Sequence, residues 1–136
     1  MLIGGGDIRG GIDYEDDSFF SMESLKNEVQ EKYQVCVVEL PGSVIAEGIP
    51  ASHGEPNAGY LQYDDGVKID KEGNITEIGG EPFDADKMYR AVMSLWDVKD
   101  GSSKPIMKYF KENQDKIPCE DSTWPVYSTL IGYWAK

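Results

Sequence analysis

Val35-Cys36-Val37-Val38-Glu39-Leu40-Pro41-Gly42 carries the strongest structural signal in the chain. Its first six residues are apolar except Glu39, and three of them are valines, whose branched Cβ suits a pleated, half-buried surface. Pro41 cannot donate to a strand ladder and Gly42 punctuates the run, so a strand is predicted over residues 35–40 and stops there. Tyr89-Arg90-Ala91-Val92-Met93-Ser94-Leu95 follows the polar opening Asp84-Ala85-Asp86 and reads as a second strand. Met88, Val92 and Leu95 also fall at helical spacing, so a helix is the alternative there.

Around these two runs the chain alternates between helical and extended patterns. Met22, Leu25 and Val29 recur at helical spacing behind Ser21 and Ser24, either of which can cap, and predict a helix over 21–31. Residues 44–49 read as a short helix ending near Pro50, followed by a polar loop over 51–58 that holds the only histidine, His53. Tyr60-Leu61-Gln62-Tyr63 is a short strand. Val67-Lys68-Ile69-Asp70 and Asn74-Ile75-Thr76-Glu77-Ile78 alternate apolar with polar across Lys71-Glu72-Gly73, a hairpin pattern. Residues 104–114 form a helix whose Pro105 suits a first turn. Residues 124–135 form a last apolar segment. The expected class is therefore α+β, a mixed sheet with interspersed helices in one domain over residues 1–136. There is no internal repeat and no low-complexity tract.

The 136 residues are 40% hydrophobic, enough for one core, and carry a formal net charge of −12. That charge repels nucleic-acid backbones and anionic membranes. No apolar run approaches the roughly 20 residues of a membrane span, so no membrane insertion is expected. Met1-Leu2-Ile3 followed by glycines lacks the basic region and long apolar stretch of a secretory leader. The compartment is left open. Cys36 and Cys119 stand in no Cys-x-x-Cys or Cys/His spacing, and two free thiols, one buried, are expected; one disulfide is the alternative for an exported domain.

Gly4-Gly5-Gly6-Asp7-Ile8-Arg9-Gly10-Gly11 is the stretch with the clearest chemistry. Glycine lets another group approach the backbone closely, and Arg9 offers a planar cation suited to phosphate or carboxylate. Two readings stand: a loop presenting Arg9 to an anionic ligand, and a structural turn in which Arg9 pairs with a nearby acid. A bound phosphate needs a local positive pocket against the global field. A dinucleotide fingerprint is not supported, because no long helix follows the loop directly. One histidine leaves little for a nucleophilic triad or a two-metal site, and His53 reads as a solvated loop side chain. Asp70 to Glu81 resembles a calcium loop only in part, with Ile75 where glycine is required, so the hairpin reading prevails. The acids Asp13, Glu15, Asp16 and Asp17 read as a solvated turn. Among the aromatics, Tyr60 follows a glycine at a strand start, where its ring can offer a face to a planar ligand; ordinary packing is the alternative.

Gly4-Gly5-Gly6-Asp7-Ile8-Arg9 resembles the Asn-Gly-Gly-x-Ile-Arg signature of the 5′-nucleotidase C-terminal domain family. Ser21 to Leu25 resembles its short Thr-x-Glu-x-Leu helix. Glu39-Leu40-Pro41-Gly42 is similar to its strand ending in Leu-x-Gly. Gly59-Tyr60-Leu61-Gln62 is similar to its Gly-x-Phe-Leu-Gln segment, and Asp84 to Val92 to its later Asp-x-x-Tyr-x-Val strand. Asp100-Gly101 falls where that family has Gly-Gly-Asp-Gly-Phe. The resemblance spans residues 3 to about 112. It implies a substrate-recognition domain, not catalytic on its own, for a nucleotide or nucleoside-like ligand. Arg9 would contact the phosphate or ribose, Gly5, Gly6 and Asp7 would be ligand-binding residues of the same loop, Tyr60 would be half of an aromatic clamp, and Asp100 would also bind the ligand. The family's two divalent metals belong to a separate metallophosphoesterase domain, so no cofactor is expected in this chain, and a catalytic domain or other protein is the implied partner. The family is often exported or at the cell surface. Gly4 stands in place of the signature asparagine and Ser102 in place of the second clamp aromatic. Those two departures motivate the alternative: a non-catalytic structural or interaction subunit, using its acidic surface and the apolar tail from Trp124 to Trp134.

Overall fold

The computed structural model describes residues 1–8, 10–30, 32–54 and 60–135, and the side chains of all of these except Tyr133 and Trp134. Its elements are β1 (Leu2–Gly4), α1 (Met22–Glu28), β2 (Gln34–Pro41), α2 (Gly42–His53), β3 (Leu61–Tyr63), β4 (Val67–Ile69), β5 (Ile75–Ile78), β6 (Glu81–Pro82), β7 (Met88–Ser94), α3 (Leu95–Asp100), α4 (Lys104–Glu112), β8 (Trp124–Pro125) and α5 (Val126–Trp134). The α+β class expected from the sequence is the class observed. The strands fall into three sheets, ordered β1-β3, β7-β2-β8 and β4-β5-β6, and every strand pairing is antiparallel.

The valine-rich strand is the centre. β2 pairs along its length with β7, from Val35↔Ser94 to Pro41↔Met88. This settles Tyr89 to Ser94 as strand: the branched and aromatic side chains alternate across the pleat, and Tyr89, Ala91 and Met93 are all buried. Cys36, Val38 and Leu40 share that face with them and pack on Ile45 and Ile49 of α2, Val98 of α3, and Ile106 and Phe110 of α4. The opposite face carries Val35 and Val92, covered by Leu25 of α1, Val29, and Val126 of α5. Both faces of β2 are thus covered at the Val35 end, which is why its sequence reads as near-continuous apolar residues. Each fully buried Leu, Val or Phe here contributes about 1.5–3 kcal/mol relative to exposure.

Several local expectations shift. α1 ends at Glu28, short of residue 31, because Val29 turns extended and bridges to Ile8. Ser21 is its cap, accepting the Ser24 N–H. α2 does not end near Pro50; it runs from Gly42 to His53 with Pro50 inside. Proline removes one helical hydrogen bond, but Ile49 and Ser52 are fully buried at this end and hold it in place. Ser52 Oγ donates to the Ile49 carbonyl and accepts the Leu61 N–H at 3.0 Å. Residues 51–53 are therefore helical, and 55–59 lie outside the described residues. The hairpin forms as read, with Gly73 at φ 90° in its turn, and β6 adds a third strand that the sequence did not suggest. Asp70 closes the turn, accepting the N–H groups of Glu72 and Asn74. Leu95 opens α3 instead of ending β7. The last apolar segment divides into β8, which pairs with Gln34 and Val35, and α5. Cys36 is buried and Cys119 exposed, and both are free thiols.

Candidate ligand-binding site

β1 ends at Gly4 and the chain winds through a 3₁₀ turn over Gly5–Asp7. Pairing of β1 with β3 sets Gly4 opposite Leu61, which delivers Tyr60 to this turn. The Gly5 N–H donates to the Tyr60 carbonyl at 2.7 Å. A Cβ on Gly5 would stand 3.1 Å from Tyr60 Cζ and 3.3 Å from both Cε atoms, so the glycine backbone lies against the phenol end of the ring. Any larger residue at position 5 would push the ring aside. The ring's other neighbour is His53, with centroids 5.0 Å apart and planes tilted by 45°. His53 is not a free loop side chain. It closes α2, and its Nε2 donates to the Leu61 carbonyl at 2.8 Å, which requires the proton on Nε2. Tyr60 keeps 37% of its surface exposed.

A second wall of the turn is acidic. The point where a side chain would begin on Gly4 lies 2.9 Å from Asp7 Oδ2 and 3.3 Å from Asp97 Oδ1, so the two carboxylates flank one backbone position. Asp97 sits in the first turn of α3 and is 1% exposed. Ser94 caps that helix: its Oγ accepts the Asp97 N–H at 2.9 Å and donates to Asp97 Oδ2 at 2.8 Å. The Tyr33 hydroxyl donates to the same oxygen at 3.4 Å. Oδ1 has no hydrogen-bond partner among the described residues. The Gly4 amide favours the charged form electrostatically but does not reach hydrogen-bond geometry with that oxygen. Burial is the largest influence and pushes the Asp97 carboxyl above the usual range, the Ser94 bond opposes it, and the Asp7 charge adds to the rise. Burial likewise pushes the Tyr33 hydroxyl far above its ordinary value.

A third contact fixes the far side of the loop. Glu28, 8% exposed at the end of α1, accepts the Gly10 N–H at 3.0 Å and the Tyr14 hydroxyl at 2.9 Å. A Cβ on Gly10 would fall 2.1 Å from Glu28 Oε1, so only glycine fits there without movement. The glycine run is therefore seated against an aromatic ring, a carboxylate pair and a buried glutamate.

No protein-family model matches the chain, and no curated protein matches it either. The site is accordingly read from its own geometry. Of the residues singled out in the sequence, Gly5, Gly6, Asp7 and Tyr60 come together at this turn. Arg9 lies outside the described residues. Asp100 is exposed at the C-terminal end of α3. The acid that faces Gly4 is Asp97, one turn earlier. Asp97, Glu28 and Tyr33 were missed in the sequence; the Ser94-x-x-Asp97 capping spacing was the one available signal. Among the described residues, no group of three or more His, Cys, Asp or Glu is placed to hold a metal ion. No described helix is long and apolar enough to cross a membrane. Chemically, the turn offers a partly open aromatic ring beside carboxylate oxygens. Such oxygens accept hydrogen bonds from hydroxyl groups and repel anions.

Proposed function

We propose that this domain recognises a nucleoside-like ligand at the glycine turn and performs no chemistry on it alone, acting as the recognition module for a catalytic domain or partner protein. The observation that carries this reading is the seating of Gly5 on the Tyr60 ring, because two segments remote in sequence meet there with Asp7 alongside. The exposed part of the Tyr60 ring supplies a stacking surface for a base. Asp7 supplies an acceptor for sugar hydroxyls, and the resemblance assigns Arg9 to the phosphate or the ribose. The test is a titration with adenosine, followed by the amide resonances of Gly5, Gly6, Asp7 and Leu61. Loss of base stacking costs about 1–3 kcal/mol, so Tyr60→Ala is expected to weaken binding roughly tenfold. Arg9→Ala is expected to weaken AMP, and to weaken adenosine as well where the contact is to the ribose. No movement of these resonances at millimolar adenosine would remove the ligand reading and leave the fold intact.

A second reading, a non-catalytic interaction subunit, is favoured by Phe19, 90% exposed in a segment that also carries Asp13, Glu15, Asp16 and Asp17. Ile12 and Met22 of the same stretch are exposed as well, and exposed apolar residues that gather, unlike ones scattered singly, mark an interaction surface. Loss of partner capture on Phe19→Ser, with adenosine binding absent in the wild type, would decide for it.

A further inference from the structure

Four of the chain's thirteen Lys and Arg residues gather on one groove. α4 presents Lys104, Lys108 and Lys111 at i, i+4 and i+7, which places them on one helix face. Lys99 faces the same groove from the last turn of α3. Between them lie Met107 and Ile117, both partly buried, over Val98 and Phe110, which are fully buried. The groove has a volume of about 620 Å³, within the span of small-ligand sites. Among the described residues, no Asp or Glu lines it. Among the described residues, no carboxylate is within ion-pair distance of any of the four lysines.

The chain has nearly twice as many acids as bases, so a cationic groove without one acid is a local reversal of the overall field. This is the positive pocket that a net charge of −12 otherwise denies to an anion. The floor adds a second requirement. Lysine stems and a methionine make an apolar, adaptable lining, which a bare inorganic anion would leave unused. We propose that the groove between α3 and α4 binds an amphipathic anion: an apolar chain or ring carrying a single phosphate or carboxylate. The apolar body lies along Met107 and Ile117, and the head group sits among Lys104, Lys108 and Lys111. This site is separate from the glycine turn and does not depend on the nucleoside reading.

The experiment titrates octyl phosphate, decanoate, octanol and inorganic phosphate into the full chain, read at the Met107 methyl resonance and by calorimetry. Octyl phosphate or decanoate, or both, are expected to shift Met107 and to bind at least tenfold tighter than octanol and inorganic phosphate; which of the two binds identifies the head group. Exposed ion pairs contribute about 0.2–1 kcal/mol each, so Lys108→Gln/Lys111→Gln is expected to weaken binding by roughly twofold to thirtyfold. Lys68→Gln, an exposed lysine on β4, is the control and leaves affinity unchanged. Equal affinity for octyl phosphate and octanol overturns the proposal. So does unchanged affinity in the double lysine variant, or a Met107 methyl that does not move at millimolar ligand.

Discussion

Replacing Asp97 by Asn keeps the outline of the side chain and removes its charge. In the native chain Oδ2 accepts from Ser94 and Tyr33, and Oδ1 faces Gly4 and Asp7 without a partner. An amide in this place retains the acceptor for both hydroxyls. Its NH₂ then removes a negative charge from beside the Asp7 charge, which pushes the Asp97 carboxyl up. Leaving a buried polar group unsatisfied costs about 1–3 kcal/mol, more when charged, so Asp97→Asn is expected to stabilise the fold by about that amount at neutral pH. With a urea slope of about 1–3 kcal/mol per molar for a small domain, the unfolding midpoint should rise by on the order of 1 M.

The pH dependence separates this account from simple repacking. Burial raises the folded-state value of Asp97 above that of the unfolded chain, so the folded state holds the proton longer. The stability this group contributes is fully present below the unfolded value and is lost as pH rises through the folded one. The gap between Asp97→Asn and wild type should therefore be small in acid and open as pH climbs. Urea titrations across the acid-to-neutral range measure it, with the slope checked for constancy. A variant that is destabilised at neutral pH by more than about 1 kcal/mol, with a gap flat in pH, would refute the reasoning, since it would mean that the charged carboxylate is fully satisfied.

Three further outcomes are expected. Gly10→Ala should cost about 1–3 kcal/mol by denaturant unfolding, because its Cβ falls on the Glu28 carboxylate; in a Glu28→Ala background most of that cost should vanish. Asp70→Ala should speed hydrogen exchange at the Glu72 and Asn74 amides. Its carboxyl is held below the usual range chiefly by its bonds from Asn74, so the native protection is present above the unfolded value and fades as pH falls through the lowered one. A thiol reagent should modify Cys119 quickly and Cys36 only on unfolding, since Cys36 is buried and burial pushes its thiol up; two fast thiols would contradict the packing of β2.

The class and the two central strands, though not their pairing, were legible because their signals are local and periodic. Valine branching marked β2, alternation marked the hairpin, and Ser21 and Pro105 marked helix starts. Where the reading missed, tertiary contacts had overridden local preference. Pro50 signals a stop, but burial of Ile49 and Ser52 carries α2 past it. Val29 fits a helical stripe, yet its bridge to Ile8 takes it out of α1. β6 is two exposed residues, Glu81 and Pro82, whose only strand signal is the partner beside them. That Tyr60 and the glycine run share one place was implied by the family resemblance alone; the residue patterns marked each as unusual without joining them. The acids that seat the loop were not legible, because Glu28 and Asp97 look like any of the chain's 25 acidic residues until the fold buries them.

That burial explains the division of charge in this chain. An acid spread over the surface costs little, and most of the carboxylates here are exposed. The few drawn inside are held where the backbone or a hydroxyl can donate to them: Glu28 by Gly10 and Tyr14, Asp97 by Ser94 and Tyr33. Both sit against the glycine run, which admits them because it has no side chains to keep them out. The glycines at positions 4 and 10 thus serve close approach by the protein's own carboxylates, while Gly5 serves approach by an aromatic ring. α3 then separates opposite fields, with Asp97 in its first turn at the glycine site and Lys99 in its last turn at the lysine groove, an arrangement its dipole favours at both ends. On the two proposals, an anion and a hydroxyl-rich neutral ligand bind at different faces of one short helix, and exchanging Lys99 for Glu should weaken the first without touching the second.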